Sequence, residues 1–191
     1  SFTDHKHYHS NKRSYHEIRR TSDRICKEHG LSVIVPGRDK GKSYIEHQAE
    51  QNGTSYKAKL RAAVESAIHE GMEHFICGMA EGCDLYFAET VLALKSTYPH
   101  ITLEAAIPCP SQADGWGEAQ KSRYRDILAR CDYETMVQQS YTPGCMQRRN
   151  RYMVDHASLL IAVNDGARGG TRSTIEYAFK RGVNVLDIPL D

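Results

Sequence analysis

The chain has 191 residues, 40% of them hydrophobic, with 25 Lys and Arg against 24 Asp and Glu; that length allows one sizeable core with a smaller appendage. No run approaches the roughly 18 consecutive apolar residues of a membrane span, which excludes a transmembrane helix and gives no reason to expect a membrane partner. The near-neutral total hides an asymmetry: residues 1–61 carry 13 basic against 7 acidic side chains and residues 62–191 carry 12 against 17, so a nucleic-acid partner is an expectation for the head and not for the body.

Ser1 to Lys12 is polar and His-rich. His5, His7 and His9 alternate, so a strand would bring them to one face, a pattern that can hold a metal; a polar loop is the plainer reading and no metal site is expected. Ser14 to Glu17 reads as a capping box opening a helix that Gly30 ends. Leu31 to Val35 is a short β-branched strand closed by Pro36-Gly37. A short helix is expected over residues 44–50 and a long one from Thr54 to Glu70, with Leu60, Val64, Ala67 and Ile68 on one face. Strands and helices then alternate. Strands are expected at His74 to Cys77, Ile101 to Ile107, Tyr133 to Val137, Leu159 to Val163 and Val183 to Ile188. Helices are expected at about Leu85 to Thr97, Glu118 to Arg130, Cys145 to His156 and from Gly169-Gly170 to Lys180. Short apolar strands separated by helices predict an α/β fold, a Rossmann-like parallel sheet flanked by helices, with a small helical N-terminal extension.

Six cysteines are present without a C-x-x-C pair, so reduced thiols in a cytoplasmic protein are expected. No secretory signal is evident, and the chain opens at Ser1 in mid-pattern, which suggests a fragment or a trimmed chain.

Two strand-to-helix turns are rich in glycine. The first, Cys77 to Asp84, offers Gly78, Ala80 and Gly82 for close backbone approach to an anion at a helix N-terminus, with Asp84 as a cap or a ligand for a hydroxyl. The second runs from Asn164 to Glu176. Gly169 and Gly170 can form an anion nest, Thr171, Ser173 and Thr174 add hydroxyls, and Glu176 follows about one turn later. In a parallel sheet both turns reach the same carboxyl rim, where ligands bind. Between them in sequence, Arg148, Arg149 and Arg151 sit on one short helix and can pair with phosphate.

At these residues the chain resembles the SLOG superfamily, which includes the DNA-processing protein A family and the LOG-type nucleoside monophosphate phosphoribohydrolases. GMAEGCD (Gly78 to Asp84) is similar to the G-x-A-x-G-x-D turn of the former. Gly169-Gly170 with Glu176 is similar to the PGG-x-GT-x-x-E signature of the latter, although Arg172 and Ser173 replace its Gly-Thr. Met146-x-x-Arg149-x-x-x-Met153 looks like the motif that carries the LOG arginine. The resemblance implies a nucleotide-like small-molecule ligand, and, if the hydrolase chemistry is kept, Arg149 and Glu176 as its catalytic pair. The first strand of the superfamily is missing from its usual place, and Leu31 to Val35 is the candidate that fills it.

Residues 1 to about 60 resemble MobA/VirD2-type relaxases of mobile elements, in KHYHSNKRSYHEIRR and in GKSY to KAKLR. That resemblance implies a mobilisation context and DNA contact through Lys12, Arg13, Arg19, Arg20 and Arg24. The metal-binding histidine strand and nucleophilic tyrosine of those nucleases are not in the segment, so nicking by this chain is not expected. The resulting division is a relaxase-like segment over 1–57 and a SLOG-type domain over 58–191. Three functions stay open: nucleotide sensing, phosphoribohydrolysis, and DNA binding by a relaxase remnant. No cofactor is expected, and a homodimer is a further expectation about assembly.

Overall fold

The computed structural model describes residues 31–35, 56–164 and 168–189, with backbone alone for 31–35 and Pro189. The polar histidine stretch, the Ser14 helix, the five basic residues from Lys12 to Arg24 and the short helix at 44–50 all lie outside the described residues.

Six strands form one sheet in the order β4-β3-β2-β1-β5-β6. They are β1 (Leu31–Val35), β2 (His74–Cys77), β3 (Thr102–Ile107), β4 (Tyr133–Met136), β5 (Leu159–Asn164) and β6 (Asn184–Pro189). Every neighbouring pair is parallel. β1 lies between β2 and β5, with Ser32 opposite both Phe75 and Leu159. Among the described residues five helices flank them: α1 (Tyr56–His69), α2 (Cys83–Leu94), α3 (Glu118–Arg130), α4 (Cys145–Asp155) and α5 (Gly170–Arg181). The parallel sheet flanked by helices is the architecture that the alternation in the sequence predicts.

The strand order dictates the layers. Crossovers β1 to β2 to β3 to β4 step one way along the sheet, and right-handed connections place α1, α2 and α3 on one face. The chain then returns past β1 to β5 and steps the other way, which puts α4 and α5 on the opposite face. The sheet residues obey the period of two. Phe75, Cys77, Leu103, Ala105, Ile107, Ile161 and Val163 point to the first face, where they meet Leu60, Val64, Phe87, Val91 and Ile127. Ile76, Ala106, Leu160 and Ala162 point to the second and meet Met153, Val154 and Ala178. Small residues on that face, Ala106, Ala162 and Ala178, let α4 and α5 sit close against the strands.

Beneath α4 the core is polar. Glu104, fully buried on β3, contacts His74 Nε2 of β2 at 2.9 Å. Its other oxygen accepts from Thr135 of β4 and from the Tyr152 hydroxyl of α4, both at 2.7 Å. His74 Nδ1 in turn meets Thr102 Oγ1 at 2.7 Å. Burial alone would raise the Glu104 carboxyl, but the hydrogen bonds from His74, Thr135 and Tyr152 outweigh it and hold it below the usual carboxylate range. The network ties three strands to α4 and fixes the helix on which Arg149 rides.

A helix boundary differs from the sequence expectation. α2 begins at Cys83 and ends at Leu94 rather than running from Leu85 to Thr97. Gly82 supplies the reason at its start. With φ 102 and ψ −126 it holds a conformation open to glycine, so the chain turns into the helix one residue before Cys83. Asp84 therefore belongs to the first turn of α2.

Candidate functional site at the carboxyl rim

The topological switch lies between β1 and β5, whose following connections leave to opposite faces. In open α/β sheets this is where a ligand-binding crevice forms. The first glycine turn follows β2, on one side of β1, and the second follows β5, on the other. Both stand at the carboxyl rim of the same sheet.

The first turn is closed on itself. The Ala80 amide donates to Asp84 Oδ2 at 2.9 Å, and the Met79 amide points to Cys77 Sγ at 3.3 Å. The Ala80 amide, which the sequence offers to a phosphate, and its neighbour at Met79 are thus engaged within the turn. Gly78 is a point of close approach. A Cβ there would meet Arg149 Nη1, and would lie 2.7 Å from Arg149 Cζ and 2.9 Å from Asp84 Oδ2.

Arg149 sits in α4, 3% exposed. Its Nη1 donates to the Gly78 carbonyl and lies 3.9 Å from Asp84 Oδ2, while its Nε donates to Asn150 Oδ1 at 2.8 Å. Asn150 Nδ2 donates to Thr174 Oγ1 at 3.0 Å, and the Thr174 hydroxyl donates to the Gly170 carbonyl at 2.8 Å. One chain of hydrogen bonds therefore links the two turns, with Arg149 and Asn150 in the middle.

Asp84 is fully buried. Burial pushes its carboxyl up to about 6, against the pull of Arg149 and the Ala80 amide. A raised carboxyl holds its proton in the folded chain where the unfolded chain has lost it. Its contribution to stability therefore falls as pH rises from about 4 to about 6. Chemical denaturation across that window should show the wild type losing stability relative to Asp84→Asn as pH rises; parallel pH profiles would refute the assignment.

The second turn is open. Residues 165–167 lie outside the described residues, but Gly169, Gly170 and the first turn of α5 do not. Among the described residues, a Cβ at Gly170 would meet nothing within 4 Å. Ser173 is exposed, and Thr171 and Thr174 are buried. A cavity of about 130 Å³ opens between α4 and α5, bordered by Asn150, Arg151, Gly170, Ser173, Thr174 and Tyr177 among others. Arg151 lies over the Tyr177 ring at 5.5 Å. The first residue of α5, two hydroxyl side chains and a cation thus border one opening.

The structure does not bring Arg149 and Glu176 together. Arg149 is taken by Gly78 and Asp84. Glu176 stands exposed on α5, 3.1 Å from Arg172, and borders the cavity from its own helix. Among the described residues the two form no hydrogen bond or ion pair with each other. Arg148 is likewise engaged, with Gln138 at 2.8 Å.

Gln112 is a rim residue that the sequence reading passes over. It lies on the loop between β3 and α3, 9% exposed, and its Nε2 donates to the Gly78 carbonyl at 3.1 Å. Its signal was its place: an amide side chain just beyond the carboxyl end of a parallel strand, where binding residues gather.

The model of the YspA SLOG family (YpsA) matches residues 42–184. The chain belongs to this SLOG family. Among its relatives, the uncharacterized SPbeta prophage-derived protein YoqJ of Bacillus subtilis strain 168 is 35% identical over 137 residues, covering 65% of this chain and 80% of YoqJ. A UPF0398 protein of Halalkalibacterium halodurans is 30% identical over 158 residues, covering 81% of this chain and 77% of that protein. The fold is shared with DNA processing protein A from Streptococcus pneumoniae, at a TM-score of 0.56 and 17% identity, over 86% of this chain. The chain spans about half of that protein, 52% of its length. The same protein from Helicobacter pylori gives a TM-score of 0.57 and 15% identity, over 87% of this chain and 68% of that one.

The SLOG match begins at residue 42, so it takes in part of the segment that the sequence reading gives to a relaxase. The Halalkalibacterium relative matches a larger share of the chain than residues 58–191 make up, and β1 stands inside the SLOG sheet. No relaxase or mobilisation protein is among these relatives. No helix among the described residues is long and apolar enough to cross a membrane.

Proposed function

We propose that this SLOG domain binds a nucleotide or nucleotide-derived ligand, holding its phosphate at the N-terminus of α5. The observation that carries the reading is the open second turn. Gly170 has free space above it, and the cavity beside it is bordered by Asn150, Arg151, Ser173 and Thr174. The positive end of the α5 helix dipole favours an anion there, and Arg151 adds a charge. The first turn, by contrast, contributes acceptors and shape rather than amides. The Helicobacter pylori neighbour binds single-stranded DNA, a phosphate-bearing partner, which supports the same class of ligand for this fold.

Calorimetric titration of the full chain with nucleoside monophosphates tests the reading. Gly170→Asp should weaken binding by at least about 10-fold, since a carboxylate would meet the phosphate at the helix end. The same substitution should leave the melting temperature unchanged or slightly raised, because an acidic residue suits a helix N-terminus. Equal affinity in the variant would overturn the site. The phosphoribohydrolase alternative is not favoured by the geometry, since Arg149 and Glu176 are held by different partners. Release of free base that depends on Glu176 would restore it.

DNA contact by Lys12, Arg13, Arg19, Arg20 and Arg24 is a separate proposal that rests on the charge of the head alone. It predicts DNA affinity that falls steeply with salt; salt-independent affinity would refute it.

A further inference from the structure

Two buried side-chain oxygens among the described residues have no hydrogen-bond partner: Asp84 Oδ1 and Gln112 Oε1. Both side chains gather around Gly78. Asp84 commits Oδ2 to the Ala80 amide at 2.9 Å. Gln112 commits its nitrogen to the Gly78 carbonyl at 3.1 Å. Flipping the Gln112 amide would not help, because it would set oxygen against oxygen at Gly78. The two orphan acceptors are therefore a fixed consequence of how the turn is built, and a buried acceptor without a donor calls for an explanation.

We infer that Asp84 Oδ1 and Gln112 Oε1 form an acceptor subsite for a neutral group of the ligand that carries two hydrogen-bond donors. The inference rests on the nucleotide reading above and extends it from the phosphate to the other end of the molecule. The α5 terminus offers donors and a cation, which suit phosphate. The Gly78 turn offers a carboxylate oxygen and an amide oxygen, which repel phosphate and accept from O–H or N–H. A nucleotide presents two such groups, the vicinal hydroxyls of ribose and the exocyclic amine of the base. Burial gives the subsite its power to discriminate: a ligand lacking the donors leaves both oxygens as orphans, and a polar site of that kind rejects the analogue strongly.

The test is calorimetric binding on the full chain. The probes are the four ribonucleoside monophosphates, their 2′-deoxy counterparts, inosine monophosphate and inorganic phosphate. In the wild type, at least one ribonucleotide should bind about 10-fold or more tightly than either its 2′-deoxy or its deaminated counterpart; the first identifies the diol and the second the amine. Gln112→Leu should bring that ratio to within about two-fold. Asp84→Asn, nearly isosteric, gives a second reading that tolerates a folding defect in the first. The Asn oxygen keeps the Ala80 amide, an NH2 donor replaces Oδ1, and the preference should vanish or invert. A wild-type ratio near one, with binding still abolished by Gly170→Asp, would overturn the subsite and leave the phosphate reading standing. A ratio that survives both substitutions in folded protein would also overturn it. No binding by any probe would remove both.

Discussion

Glu104→Ala is expected to lower the unfolding free energy by roughly 3 kcal/mol or more, since each buried polar partner left unsatisfied costs about 1–3 kcal/mol. The carboxylate accepts from Thr135 and Tyr152 and contacts His74, all from elements other than its own strand. Without it three polar groups lose a partner inside the core. Glu104→Gln should cost less, because an amide keeps one acceptor while placing a donor near another donor. The pH dependence has a definite sign. The folded carboxyl lies below its unfolded value, so its stabilisation is present above the ordinary carboxylate range and is lost as pH falls through the folded value. Wild type should therefore lose more stability on acidification than Glu104→Gln. Urea denaturation at neutral and acid pH checks both statements; a loss under about 1 kcal/mol for the alanine variant would show that the network is not coupled to folding.

The second large effect is expected at Gly78. Alanine there would put a methyl group against the Arg149 guanidinium and 2.9 Å from Asp84 Oδ2. Arg149 cannot withdraw cheaply, because its side chain is buried and bound to Gly78, Asp84 and Asn150. Overpacking of a filled core costs about 1–3 kcal/mol, and displacing a buried ion pair adds to it, so a loss of about 3 kcal/mol is expected. Gly170→Ala is the control. With open space above it, the substitution should stay within about 0.5 kcal/mol of wild type. Similar losses at the two glycines would contradict the contrast between a closed first turn and an open second one.

The sheet was legible in the sequence because its signals are local. Runs such as Phe75 to Cys77 and Leu160 to Val163 are apolar without a break, as strands covered on both faces must be. The glycine turns were legible for the same reason: each falls between a strand and a helix. What the sequence does not show is how side chains divide their hydrogen bonds. Gly78, Ala80 and Asp84 read as an open cradle, yet Asp84 folds back onto the Ala80 amide. Arg149 and Glu176 read as a pair from their family spacing, yet each found a nearer partner, Asp84 for the arginine and Arg172 for the glutamate. Gln112 had only its place beyond a strand end to mark it, and nothing in a single loop residue tells that it reaches a carbonyl 34 positions away. The polar network at Glu104 was equally hidden. Its members lie on β2, β3, β4 and α4, and no spacing in the chain connects them.

The central place of β1 bears on how the protein should be handled. A fragment cut at residue 42, where the family match starts, would discard β1, the strand that pairs with both β2 and β5. The remainder would be two ribbons, one of three strands and one of two, with a slot where the keystone stood and raw amide edges facing each other across it. Such a truncation should aggregate or capture a strand from a neighbour, whereas a cut ahead of Leu31 keeps the arch closed.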